Sequence, residues 1–290
     1  MATRVCAVIG AGVMGADIAL DLSGHEYEVI LKDLTDEFLE KARDYMKKTY
    51  NLVKLTKRDH FSSSFDALLS RIRFVTDYDG FHEVDIVVEN ITERFEAKKS
   101  LYAELQTVCR DDVLFGVNTS CISITRIGAL MPQPENVIGM HFMNPVPLKP
   151  LVEVIRGHHT SDETLDRTRF FLKSLDKTCV VVNDSPGFAS NRVLMITINE
   201  SIWLVQDGVA QAKDVDTIFK LGFGHRMGPL ATADLIGLDT ILDSLMVLYE
   251  SYNDPKFRPC PLLRKMVDAG LLGAKSGRGF FEYEGRRRGM

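Results

Sequence analysis

The chain has 290 residues, 45% of them hydrophobic and 26% charged, with a formal net charge of −5. That is enough apolar material for two domains, and the slight acidic balance excludes the basic footprint of a nucleic-acid binder. The five cysteines, Cys6, Cys109, Cys121, Cys179 and Cys260, form no C-x-x-C pair, which suits a reducing cytoplasm better than a disulfide framework or a zinc site. No metal is expected. The apolar opening at 5–9 is too short for a signal sequence, and no stretch reaches the roughly 18 apolar residues of a membrane span. The expected location is the cytoplasm.

In chain order, short β-rich runs at 4–9, 27–31, 72–75, 85–89, 113–117, 137–142, 151–155 and 178–182 predict strands. Several are continuous apolar runs, as in parallel strands buried on both faces. Helical patterns at 16–23, 94–108 and 162–174 fall between them. This part reads as a Rossmann-like, doubly wound and mostly parallel α/β sheet. The run Asn183-Asp184-Ser185-Pro186-Gly187 then marks a boundary. Beyond it the patterns are helical, at 191–206, 215–221, 230–249 and 261–269, with one short strand expected at 280–283. The expected domains are therefore 1–184 and 185–290, the second all-helical. The terminal Arg286-Arg287-Arg288 reads as a frayed, solvated end.

Gly10-Ala11-Gly12-Val13-Met14-Gly15 is a G-x-G-x-x-G turn between a predicted strand and a predicted helix. Gly10 permits the tight turn, Gly12 lets the backbone approach a pyrophosphate, and Gly15 lets helix and strand pack closely. The pyrophosphate then lies at the helix N-terminus, where free N–H groups and the helix dipole favour an anion. Asp33, at the end of the next strand, stands near the spacing of about 20 residues for a carboxylate that accepts from ribose hydroxyls. Its charge opposes a 2′-phosphate, so the expected cofactor is NAD rather than NADP, a preference tempered by the adjacent Lys32.

Three further features are unusual for scaffold. Asn118-Thr119-Ser120-Cys121 and His141-Phe142-Met143-Asn144-Pro145-Val146-Pro147 both stand at strand ends, where open α/β sheets bind ligands. Glu153 lies inside the apolar run Leu151-Val152-Glu153-Val154-Ile155, and a carboxylate buried in a strand needs a partner. It follows His141 by twelve residues across a Pro-rich turn that folds one strand end back beside the other. An imidazole titrates near neutrality, so it can take a hydroxyl proton as hydride leaves the same carbon. Glu153 would hold its tautomer and stabilise the imidazolium.

At these residues the chain resembles the L-3-hydroxyacyl-CoA dehydrogenase family, especially its short bacterial 3-hydroxybutyryl-CoA dehydrogenases. The resemblance runs through 9–15, 87–98, 118–120, 141–147, 151–154, 185–192 and 228–239. It implies an NAD-dependent oxidoreductase of fatty acid metabolism that interconverts 3-hydroxyacyl and 3-oxoacyl thioesters, with His141 as base and Glu153 as its partner. It also implies that Ser120 and Asn191 hydrogen-bond near the substrate oxygen, that Glu93 and Lys98 stand on the cofactor side, and that Asn144 sits beside the histidine. The family binds its acyl thioester between the two domains and forms homodimers through the helical one.

The chain departs from the family pattern at two places. Pro147-Leu148-Lys149-Pro150 shifts a lysine and adds a proline before Glu153. The helical pair around 51–65 carries Lys54, Lys57 and Arg58 but lacks the Gly-Lys turn common where the family meets coenzyme A, and His60-Phe61-Ser62-Ser63-Ser64 is unusual there. Both departures leave the chemistry intact and put the acyl carrier in question. Some relatives serve polyketide extender-unit pathways and act on a hydroxyacyl group tethered to acyl carrier protein, the alternative reading.

Two other dehydrogenase types fit less well. A 6-phosphogluconate-type enzyme needs a lysine shortly before the second domain's asparagine, which Gly187-Phe188-Ala189-Ser190-Asn191 lacks. A nucleotide-sugar dehydrogenase needs a cysteine nucleophile, whereas Cys121 reads as a small buried residue. A non-catalytic, crystallin-like NAD binder is opposed by the intact set Ser120, His141, Glu153 and Asn191.

Overall fold

A computed structural model describes residues 5–57 and 59–283 of the chain. The expectations that touch Arg4, Arg58 and Arg286-Arg287-Arg288 lie outside the described residues. The chain divides into two compact units, one ending at Ser185 and the other beginning at Pro186.

The first unit is built on one eight-stranded sheet of order β3-β2-β1-β4-β5-β6-β7-β8. Its strands are β1 (Val5–Ile9), β2 (Glu28–Lys32), β3 (Ile72–Val75), β4 (Ile86–Glu89), β5 (Leu114–Val117), β6 (Val137–Phe142), β7 (Leu151–Arg156) and β8 (Thr178–Asn183). Cys6, Ala7 and Val8 on β1 are fully buried, which is why that run is apolar without alternation. β1 pairs in parallel with β2 on one side and β4 on the other. The strand order reverses there, so the carboxyl ends of β1 and β4 border the crevice where such sheets take ligands. The helices of this unit are α1 (Val13–Gly24), α2 (Asp36–Thr56), α3 (Phe65–Leu69), α4 (Phe95–Val108), α5 (Ile124–Gly128) and α6 (Asp162–Ser174). Thr35 and Ser161 cap α2 and α6, their hydroxyls accepting from Phe38 N and Thr164 N. The helical pair expected around 51–65 resolves into the last turns of α2 and the short α3.

Among the described residues, β6 and β7 form the one antiparallel pair of the sheet, so that β7 and β8 run opposite to the other strands. The connection 143–150 between them is too short for the crossover of a dozen or more residues that a parallel pair needs. Their register sets His141 directly opposite Glu153.

The second unit packs α7 (Ser190–Gln206), α8 (Ala212–Thr217), α9 (Pro229–Ile236), α10 (Leu238–Tyr252) and α11 (Pro261–Asp268) around a core that includes Ile198, Leu230, Ile241 and Leu263. Three details differ from the sequence expectation. The helix expected at 230–249 is broken at Gly237, whose φ of +107° ends α9 and starts α10. The helix expected at 215–221 is α8 followed by a π-turn, Ile218–Gly222. The strand expected at 280–283 is no named strand. Asp234 supplies the acceptors that a neighbouring strand would have offered, at 3.0 Å from Phe280 N and 2.9 Å from Phe281 N. Among the described residues, no helix is long and apolar enough to cross a membrane.

Candidate active site

The glycine turn joins β1 to α1. Gly10 has a φ of +91°, and a Cβ there would stand 2.7 Å from Asn90 O. A Cβ on Gly15 would lie 1.8 Å from Gly10 O, so α1 rests against the turn as closely as backbone allows. Gly12 is different: nothing lies within 4 Å of its missing side chain. It is also the N-cap of α1 and offers no side-chain cap, which leaves the first-turn N–H groups to an anion. Asp33, one residue past β2, accepts from Ala11 N and Leu34 N at 2.6 Å each. A cleft of about 720 Å³ opens over this turn, lined by Gly10, Gly12, Asp33, Tyr78 and Asn90 among others. Lys32, nearly buried, turns its ammonium over the Tyr78 ring at 4.6 Å. An open anion mouth, a carboxylate at its rim and a cleft of this size fit a dinucleotide.

His141 Nδ1 lies 3.0 Å from Glu153 Oε2, and both side chains are buried, at 10% and 5% exposure. A carboxylate only accepts, so this contact assigns the proton to Nδ1 and leaves Nε2 as the acceptor. Nε2 is 3.4 Å from Ser120 Oγ. Ser120, His141 and Glu153 thus form one line, built from the loop after β5 and the facing ends of β6 and β7.

Glu93 stands just before α4, and its Oε1 accepts from the Thr119 hydroxyl and from Ser120 N (3.0 Å), Cys121 N (2.8 Å) and Ile122 N (3.3 Å). It therefore anchors the loop that carries Ser120. Lys98, expected on the cofactor side, is fully buried, with Nζ 2.6 and 2.8 Å from the two oxygens of Glu89. Its influence on a cofactor would pass through Glu89, whose Oε1 also accepts from Ile91 N on the cleft wall. Asn191 stands in the first turn of α7, in the second unit.

Sequence reasoning missed Glu89, although a carboxylate ending an apolar strand is the same signal that singled out Glu153. It also gave Asn118 no role. Asn118 Oδ1 accepts from Phe142 N at 3.1 Å, and its amide nitrogen donates to Asn90 Oδ1 at 2.7 Å. Asn118 thus links the cleft wall to the residue after His141.

Residues 5–185 match the family described as "3-hydroxyacyl-CoA dehydrogenase, NAD binding domain", and residues 187–283 match that family's C-terminal domain. The chain is 46% identical over 276 residues to a Deinococcus radiodurans protein named "Probable 3-hydroxybutyryl-CoA dehydrogenase", covering 95% of this chain and 99% of that one. It is 41% identical over 278 residues to the 3-hydroxybutyryl-CoA dehydrogenase of Clostridioides difficile, covering 96% and 98%. Among solved structures, it superposes on the (S)-3-hydroxybutyryl-CoA dehydrogenase of Ralstonia eutropha with a TM-score of 0.90 at 37% identity, covering 98% and 100%. Fold, cleft and relatives together define an NAD-dependent oxidoreductase that acts on a CH–OH group. The chain belongs to the 3-hydroxyacyl-CoA dehydrogenase family.

Proposed function

We propose that this protein interconverts a 3-hydroxyacyl thioester and its 3-oxoacyl counterpart, with 3-hydroxybutyryl-CoA and acetoacetyl-CoA as the natural first pair to test. The observation that carries the reading is the buried His141–Glu153 contact of 3.0 Å with Ser120 on the opposite nitrogen at 3.4 Å. In oxidation, His141 Nε2 takes the proton of the 3-hydroxyl while the oxygen becomes a carbonyl. Glu153 keeps the proton on Nδ1 and stabilises the imidazolium as it forms. Ser120 holds the reacting oxygen, and the family resemblance adds Asn191 as a second hydrogen-bond partner for it. NAD, when bound, supplies the hydride acceptor for oxidation and the hydride donor for reduction.

On the cofactor side, Gly10, Gly12 and Gly15 shape the pyrophosphate cradle, and Asp33 accepts from the ribose hydroxyls. Glu93 orders the loop beneath the reacting end, and Lys98 sets the charge of Glu89 behind it. Dimerisation through the helical unit is carried by the family resemblance.

A second reading keeps the chemistry and changes the carrier to an acyl carrier protein. The state of α2 favours it. Lys54 donates to Phe61 O at 2.5 Å and lies near the Tyr50 ring, so this basic residue of the departing segment is engaged within its own unit.

The test follows NADH consumption by the purified protein with acetoacetyl-CoA, and in parallel with acetoacetyl on a carrier protein. Turnover of the free coenzyme A ester supports the first reading, and turnover of the tethered form alone supports the second. Inactivity on both overturns the proposed substrate class. His141→Ala is expected to lose most turnover and keep NADH binding; a folded variant that no longer binds NADH would contradict the assigned role.

A further inference from the structure

Two buried charged residues grip the connection that joins the two halves of the dyad. Residues 143–150 run from the end of β6 to the start of β7 and contain a single 3₁₀ turn, Val146–Leu148. Asp17, in the middle of α1 and fully buried, accepts from Val146 N at 3.1 Å through Oδ2 and from the Thr49 hydroxyl of α2 at 2.8 Å through Oδ1. Lys177, immediately before β8, donates to Val146 O at 2.7 Å and to Lys149 O at 3.1 Å. The same ammonium stands 2.8 Å from Asp21 Oδ2, and Asp21 Oδ1 lies 3.0 Å from His60 Nε2. Both polar groups of the Val146 backbone are thus held by buried charged side chains from distant parts of the unit.

Interior charges of this kind are costly unless paired, and apolar replacements often stabilise a fold at least as well. Stability alone is therefore a weak reason for two carboxylates and a lysine to meet here. A geometric reason is available. The turn type and length of a hairpin loop help set its strand register, and with eight residues between β6 and β7 the path of the connection bears on how the two strands face each other. A slip of two residues between β6 and β7 would carry Glu153 about 7 Å along the strand and out of reach of His141.

We propose that Asp17 and Lys177 are positioning residues for the dyad. By holding Val146 N, Val146 O and Lys149 O they set the path of the 143–150 connection, and with it the facing of His141 and Glu153. This inference rests on the dyad reading given above.

The experiment compares full-length Asp17→Ala, Asp17→Asn and His141→Ala in NADH oxidation with acetoacetyl-CoA, with circular dichroism as the check of fold. Asp17→Ala is expected to lower kcat about tenfold to a hundredfold, the cost of misplacing reacting groups by about 1 Å, while KM for NADH stays within about twofold. Asp17→Asn is expected to recover most of kcat, because its amide oxygen still accepts from Val146 N while its nitrogen donates to Thr49. A folded Asp17→Ala with wild-type kcat overturns the inference, as does an Asn variant no better than the Ala variant. If Asp17→Ala does not fold, amide hydrogen exchange of the wild-type protein decides. Slow exchange at Val146 supports the grip, and exchange as fast as in exposed loops overturns it. His141→Ala separates the two levels. Lost turnover there beside wild-type turnover in Asp17→Ala overturns the positioning role alone, whereas turnover surviving in His141→Ala overturns the dyad and this inference together.

Discussion

Glu153→Gln removes one charge from a buried pair and leaves the side-chain volume nearly unchanged. At the 3.0 Å separation of His141 Nδ1 and Glu153 Oε2, the attraction between an imidazolium and a carboxylate is about 5–6 kcal/mol at an effective dielectric of about 20. Desolvation of both groups offsets much of this, and hydrogen bonds to charged groups contribute about 1.5–3 kcal/mol net. In the proposed oxidation the imidazolium forms as the hydroxyl proton is taken, so the loss is expected on the chemical step. At about 1.4 kcal/mol per factor of ten, kcat for oxidation should fall about 10- to 150-fold. A Gln amide that donates to Nδ1 would also move the ring proton to Nε2, the nitrogen that must accept, which pushes the loss toward the upper end. The assay is NADH formation from 3-hydroxybutyryl-CoA at saturating NAD and neutral pH, with KM for NAD measured alongside. A kcat within about twofold of wild type, or a loss confined to KM for NAD, would refute the reasoning.

Asp33→Ala removes the carboxylate at the rim of the cleft and the acceptor of Ala11 N. NAD affinity, followed by fluorescence titration, should weaken about tenfold, as the loss of a charged hydrogen-bond partner implies; unchanged affinity would take Asp33 out of the site. Asp17 gives a pH test of a different kind. Burial pushes its carboxyl from 3.8 up to about 6, with the hydrogen bonds from Thr49 and Val146 N pulling the other way. A raised carboxyl favours the folded state fully below the unfolded value and loses that advantage as pH climbs through the folded one. Wild-type stability should therefore fall relative to Asp17→Asn between about pH 4 and pH 6, by about 3 kcal/mol in all. Parallel urea-unfolding stabilities of the two proteins across that range would count against a buried, proton-linked Asp17.

How much could be read in advance depended on how local each signal was. The eight strands were legible because each is a short apolar run ending in polar or turn residues, and the glycine turn because its three glycines fall at a fixed spacing between one strand and the helix that follows it. Gly15 faces Gly10 O across five positions of chain. The contact of His141 with Glu153 was legible for a related reason: a carboxylate in the middle of an apolar strand demands a partner, and a Pro-rich connection could return the chain to His141. The break at Gly237 was not legible. The apolar pattern at 230–249 runs on as if one helix continued, while the φ of +107° at that residue, and the Asp239 and Lys275 side chains 2.9 Å from where a Cβ would stand, belong to the folded chain.

By itself the amino-acid sequence determined the class of fold and the glycine turn with Asp33 beyond it, and it singled out His141 and Glu153 as candidates for a pair. These follow from burial pattern and from backbone geometry over a few residues. The tertiary structure alone decided that Lys98 belongs to Glu89, that Glu93 holds the loop of Ser120, and that Asp17 and Lys177 grip the turn between the two halves of the dyad. Asp17 meets Val146 across 129 positions of chain. No periodicity or spacing encodes such a contact, because it exists only once the sheet has brought the two segments together and removed the water between them.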